Sequence, residues 1–78
     1  MNLNDLIKKY NISTQELANI TGTTFANTIR IIKGEAVGSL NIYKRIQLAF
    51  KLSDEDIYDI WVERSTAYEK HAKKNKRG

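Results

Sequence analysis

The residues with the clearest capacity for chemistry are Thr24, Phe25, Ala26 and Arg30, in the stretch from Thr21 to Arg30 that reads TGTTFANTIR. It has the shape of a turn feeding a helix, and a helix fits the width of the major groove of DNA. Phe25 and Ala26 can make apolar contact with a thymine methyl, while Arg30 can grip guanine bidentately or a phosphate singly. Lys33 brings a second charge, and phosphate neutralisation is the main source of nucleic-acid affinity. Lys8, Lys9, Lys44, Arg45 and the basic C-terminal residues would have to add to it.

Other chemistries find little to work with. The chain has no cysteine and one histidine, His71, which excludes disulfides, thiolate metal sites and a catalytic histidine pair. No nucleophile stands with a base, and no glycine-rich phosphate loop precedes a strand. The reading is therefore of a protein that is not an enzyme, with no metal, no cofactor and no small-molecule substrate. His71 reads as an ordinary exposed histidine.

At 78 residues the chain is one domain at most, and a chain of this size buries only about 60% of its unfolded surface. Its net charge of +4 is unevenly spread. Residues 1–52 hold seven basic and three acidic side chains, residues 53–69 one basic and six acidic, and residues 70–78 five basic and none acidic. This describes a basic body, an acidic helix and a basic tail, so the overall charge alone says little about nucleic acid. Met1 to Leu6 has no basic start before an apolar run, and no apolar window approaches the roughly 20 residues of a membrane span. The expectation is a soluble protein of the cytoplasm that does not engage membranes.

Proline is absent and three interior glycines, Gly22, Gly34 and Gly38, punctuate what otherwise reads as helix. A first helix starts at Asn2 as cap, carries Leu3, Leu6, Ile7 and Tyr10 on one face and ends near Asn11. Ser13 and Glu16 form a capping box for a second, with Leu17, Ala18 and Ile20 facing inward. Thr23 or Thr24 caps a third, with apolar Phe25, Ile29, Ile31 and Ile32, and Gly34 sits where a left-handed C-terminal residue is wanted. A fourth runs from about Leu40 to Lys51 with Ile42, Ile46, Ala49 and Phe50 on one face. Ser53 caps a fifth, whose stripe is Ile57, Ile60, Trp61 and Arg64, continuing to Tyr68. The fold class is all-α, a compact five-helix domain over 1–68 with a basic, flexible tail at 69–78.

The segment from Gln15 to Gly34, with LANITGTT and IRIIKG, resembles the Cro and repressor family of phage and bacterial regulators, and the helix order resembles the lambda-repressor-like domain. The likeness covers roughly residues 3–61 and rests on Leu17, Ala18, Gly22, Arg30, Ile31 and Gly34 at that family's spacing. It implies a helix-turn-helix whose second helix, from about Thr24 to Ile32, lies in the major groove. On that resemblance Thr24, Phe25, Ala26, Asn27, Arg30 and Lys33 fall at the DNA, with Thr14, Gln15, Ser39 and Lys44 at the backbone. It further implies a phage-type switch protein in the bacterial host cytoplasm, acting as a dimer on two-fold, double-stranded operator DNA.

A competing function needs no DNA. Ile29, one turn after Phe25, is expected on an exposed face, and together they form an apolar patch able to dock on a partner repressor protein, as an antirepressor does. Tyr58 and Trp61 exceed what a small core demands and are candidates for protein contact, a homodimer included. An antitoxin combining both activities is a third reading. The acids Asp54, Glu55, Asp56, Asp59 and Glu63 read as a well-capped solvated face.

Overall fold

The computed structural model describes the backbone of residues 1–76 and the side chains of residues 1–73. Five helices follow one another with no strand among the described residues: α1 (Leu3–Tyr10), α2 (Thr14–Thr21), α3 (Phe25–Lys33), α4 (Leu40–Phe50) and α5 (Asp54–Lys76). Local chemistry fixes where most of them begin. The Asn2 side chain accepts from the Asp5 amide at 2.8 Å, and Ser13 accepts from Glu16 at 3.1 Å while Glu16 accepts in return from the Ser13 amide at 2.9 Å. The hydrogen bonds from Ser13 hold the Glu16 carboxyl below its usual pKa. Thr24 and Ser53 accept the amides of Asn27 and Asp56, both at 3.0 Å. Each bond occupies a donor that a helix start would leave without a partner.

Left-handed residues end four of the helices, and two of them are glycine as the sequence suggests, Gly22 at φ 74° and Gly34 at φ 84°. The other two, Asn11 at φ 52° and Lys51 at φ 53°, carry side chains. Asparagine tolerates this region; lysine there is uncommon.

The core joins Leu3 and Leu6 of α1, Leu17 of α2, Ile31 of α3, Ile42, Tyr43 and Ile46 of α4 and Ile60 of α5. Burying a side chain such as Leu6 or Ile60 completely is worth about 1.5–3 kcal/mol. Ala18 is buried, as its small size between packed helices leads one to expect, and α2 packs against both α3 and α4 while α4 packs on α5.

Several expectations are corrected. In α4 it is Tyr43 that is buried, whereas Ala49 is exposed. Tyr10 lies 45% exposed with its ring against Phe50, centroids 4.8 Å apart, rather than facing the core. Ile20 is only half-buried. Helix α5 runs past Tyr68 to Lys76, so the segment read as a tail is helical as far as it is described; Arg77 and Gly78 lie outside the described residues. Among the described residues no helix is long and apolar enough to cross a membrane.

Candidate nucleic-acid interface

Helix α3 stands on the body with one face in and one face out. Residues advance by about 100° each around a helix, so Phe25, Ala26, Ile29, Arg30 and Lys33 share a face and Thr28, Ile31 and Ile32 share the opposite one. Thr28 and Ile31 are buried and Ile32 packs against the core; Phe25, Ala26, Arg30 and Lys33 are exposed. Ile29 departs from expectation. It is half-buried, which leaves Phe25, at 48% exposure, as the main apolar group of that face. Helical phase puts Ile29 between the exposed Phe25 and Lys33, so its partial burial comes from neighbours outside α3.

The front of α3 is built from hydroxyls. Thr24 caps it, and Asn27 Nδ2 donates to Thr23 Oγ1 at 2.9 Å, so the Asn27 side chain is half-buried and engaged within the turn. Thr28 Oγ1 donates to the Thr24 carbonyl at 2.8 Å, which lets a threonine occupy a core-facing position without a stranded hydroxyl. No acidic side chain lies in α3, and its two cations, Arg30 and Lys33, are in its last turn.

The rear of α3 is held by a residue from another helix. Arg64 of α5, 5% exposed, donates from Nη1 to the carbonyls of Ile31 at 2.8 Å and Ile32 at 2.7 Å, and from Nε and Nη2 to Glu63 at 2.8 and 2.7 Å. The Glu63 carboxylate raises the Arg64 pKa further, outweighing burial, so this guanidinium stays charged. Arg64 therefore serves the Ile32 carbonyl at the end of α3 and shares the Ile31 carbonyl with the Gly34 amide, which donates to it at 3.1 Å. Its sequence position showed only that it lies on the inward stripe of α5.

The remaining candidate residues fall at different places. Thr14 and Gln15 begin α2, where Gln15 Nε2 donates to Asn19 at 3.0 Å. Ser39 stands before α4 and makes no side-chain capping bond. Lys44 lines a groove between α4 and α5 together with Tyr58 and Trp61. The cation beside the turn from α2 to α3 is instead Arg45: a Cβ built on Gly22 would meet its Nη1 at 3.3 Å. Lys44 and Arg45 are adjacent in sequence, and only packing separates them. Tyr58 and Trp61 are 60% and 37% exposed, their ring centroids 6.1 Å apart.

No protein-family model, no curated protein and no solved structure matches this chain.

Proposed function

We propose that this chain is a small phage-type transcriptional regulator that binds double-stranded operator DNA in the cytoplasm of a bacterial host. In this reading α2, the turn at Gly22 and α3 form a helix-turn-helix of the lambda-repressor-like kind, with α3 in the major groove. The observation that carries it is the outward face of α3: Phe25, Ala26, Arg30 and Lys33 project from a short, capped helix that contains no acid. Phe25 and Ala26 meet thymine methyl groups, Arg30 a guanine edge, and Lys33 a phosphate. Arg45 beside Gly22 supplies phosphate affinity next to that helix. Bound there, the protein represses by occluding the promoter.

The test is a fluorescence-anisotropy titration of the full chain with duplexes from the promoter region of its own operon, against scrambled duplexes of equal length. Tight, salt-sensitive binding of one promoter sequence is expected. Equal affinity for all duplexes would leave only unspecific charge attraction, and no binding at low salt would end the proposal.

A second reading is favoured by the exposure of Phe25, whose ring is large and uncharged on a face otherwise suited to DNA. There the same face docks on a partner repressor protein, and Phe25→Asp abolishes the complex. Retention of that complex by Phe25→Asp would remove this reading.

A further inference from the structure

The front and the rear of α3 are held by different means. At the front, the side-chain bonds of Thr24, Asn27 and Thr28 run within the turn and the helix itself. They shape that end and leave the angle of α3 on the body to apolar packing, which is non-directional. At the rear, α5 supplies two fixed points one turn apart. The first is the Arg64 guanidinium, bonded to the Ile31 and Ile32 carbonyls at 2.8 and 2.7 Å. The second is Ala67, whose Cβ a methyl built on Gly34 would meet at 3.3 Å.

The guanidinium is itself oriented. Its Nε and Nη2 donate to the two carboxylate oxygens of Glu63 at 2.8 and 2.7 Å, and this leaves Nη1 turned to α3. Such a bidentate fork is a geometry that arginine holds and lysine cannot. The two cations of α3, Arg30 and Lys33, flank the carbonyls that Arg64 serves. Helix α3 has nine residues and is about 13 Å long, so rocking it by about 5° on its front moves its rear by about 1 Å. Hydrogen bonds to a base edge are confined to about 2.7–3.2 Å, so a shift of that size spoils a bidentate contact. A flexible lysine on a phosphate follows the same shift without loss.

We propose that Arg64 is the positioning residue for base reading by α3: it sets the angle of that helix so that Arg30 meets its base in register, and it takes no part in the contact. The inference rests on the operator reading. It goes beyond that reading by placing control of specificity in α5, a helix that stays out of the groove.

A double-mutant cycle on the full chain tests this. Anisotropy titrations use the promoter duplex that the parent selects and a scrambled duplex, at a temperature where circular dichroism shows every variant folded. In the parent, Arg30→Ala should weaken the specific duplex about tenfold or more. In an Arg64→Met chain the same replacement should cost no more than about twofold, because Arg30 already misses its base. Arg64→Met alone should lower the ratio of specific to scrambled affinity about as far as Arg30→Ala does, with the scrambled duplex held within about twofold of the parent. Should Arg64→Met fail to fold, Glu63→Ala decides: it keeps the arginine, frees its orientation and should move the ratio in the same direction by a smaller factor. A purely structural tie gives a different result, in which Tm falls while the ratio and the cost of Arg30→Ala stay at parent values. That result overturns the proposal. A parent chain with equal affinity for both duplexes is a separate outcome, seen before any variant is made, and it removes the operator reading and this inference together.

Discussion

Arg64 donates through a single nitrogen to the carbonyl oxygens of Ile31 and Ile32, at 2.8 and 2.7 Å, across more than thirty residues of chain. A hydrogen bond from a charged donor is worth about 1.5–3 kcal/mol; without Arg64 the Ile31 carbonyl keeps the Gly34 amide, and the Ile32 carbonyl loses its donor. Arg64→Met keeps the apolar stem and removes the donors, so a loss of about 2–3 kcal/mol is expected. For a domain of this size each kcal/mol lowers Tm by roughly 4–8 °C. Thermal unfolding followed by circular dichroism checks it, and a variant within 3 °C of the parent would show that the tie contributes little.

Thr28 tests how a hydroxyl comes to sit in the core. It is 2% exposed, and its hydroxyl donates to the Thr24 carbonyl one turn back. That carbonyl also accepts the Thr28 amide at 3.0 Å, so it does not depend on the hydroxyl. Thr28→Val keeps the shape and should change stability by less than about 1 kcal/mol in either direction. Thr28→Ala leaves a small void and should cost about 1 kcal/mol more than the valine variant. Urea unfolding of the two variants side by side decides it.

At Gly22 the left-handed backbone and the nearness of Arg45 act together. An L-residue pays about 1–2 kcal/mol for that conformation, and the added methyl has to displace the guanidinium slightly. Gly22→Ala should therefore lower the unfolding free energy by about 1–2 kcal/mol. If Arg45 aids DNA affinity from this position, Gly22→Ala should also weaken duplex binding at a temperature where the variant remains folded.

Alkaline stability should report Tyr43. Burial pushes its phenol up to about 12 from an ordinary 10.0, and its hydroxyl donates to the Val37 carbonyl. A raised folded-state pKa means folding favours the protonated phenol. The stability this confers is fully present below pH 10 and is lost as pH rises from about 10 towards 12. Tyr43→Phe should cost about 1–2 kcal/mol at neutral pH through the unsatisfied Val37 carbonyl, yet show a flatter decline between those pH values. Parallel curves for parent and variant would contradict this assignment.

On the DNA proposal, Arg30→Ala should weaken specific binding by about 1–3 kcal/mol and relax preference at one base pair. Lys33→Ala should weaken binding to all duplexes alike and lower the slope of log affinity against log salt by about 1. Titrations at several salt concentrations separate the two. Interchanged behaviour would reverse the roles given to these cations.

Much of the fold is legible because helix boundaries are local. The capping pairs Asn2 with Asp5 and Ser13 with Glu16, the caps Thr24 and Ser53, and the glycines at 22 and 34 act within four residues of chain. The outward display of Phe25, Ala26, Arg30 and Lys33 is equally legible from helical phase. What escapes depends on neighbours distant in sequence. Helix α4 has apolar residues all round, so only contact with α1, α2 and α5 decides that Tyr43 goes in and Ala49 and Leu48 stay out. Ile29 falls inside the outward arc by helical phase, and its partial burial is set by neighbours outside α3. Beyond Tyr68, α5 has Ala72 as its one apolar residue, which leaves no stripe to read although Ala, Glu and Lys favour helix. Arg64 read as one more member of a stripe, because the carbonyls it serves lie in a different helix.

The way α3 is fastened bears on what can change over time. Its footing comes from Thr24 and Thr28 in front and from the Arg64 guanidinium behind, and among the described residues no hydrogen bond or ion pair employs the side chains of Arg30 or Lys33. Positions 25, 26, 30 and 33 are consequently at liberty to vary while the scaffold stays as it is. Under the DNA proposal, a lineage could exchange one target for another through a handful of codons there without disturbing the bonds that hold α3.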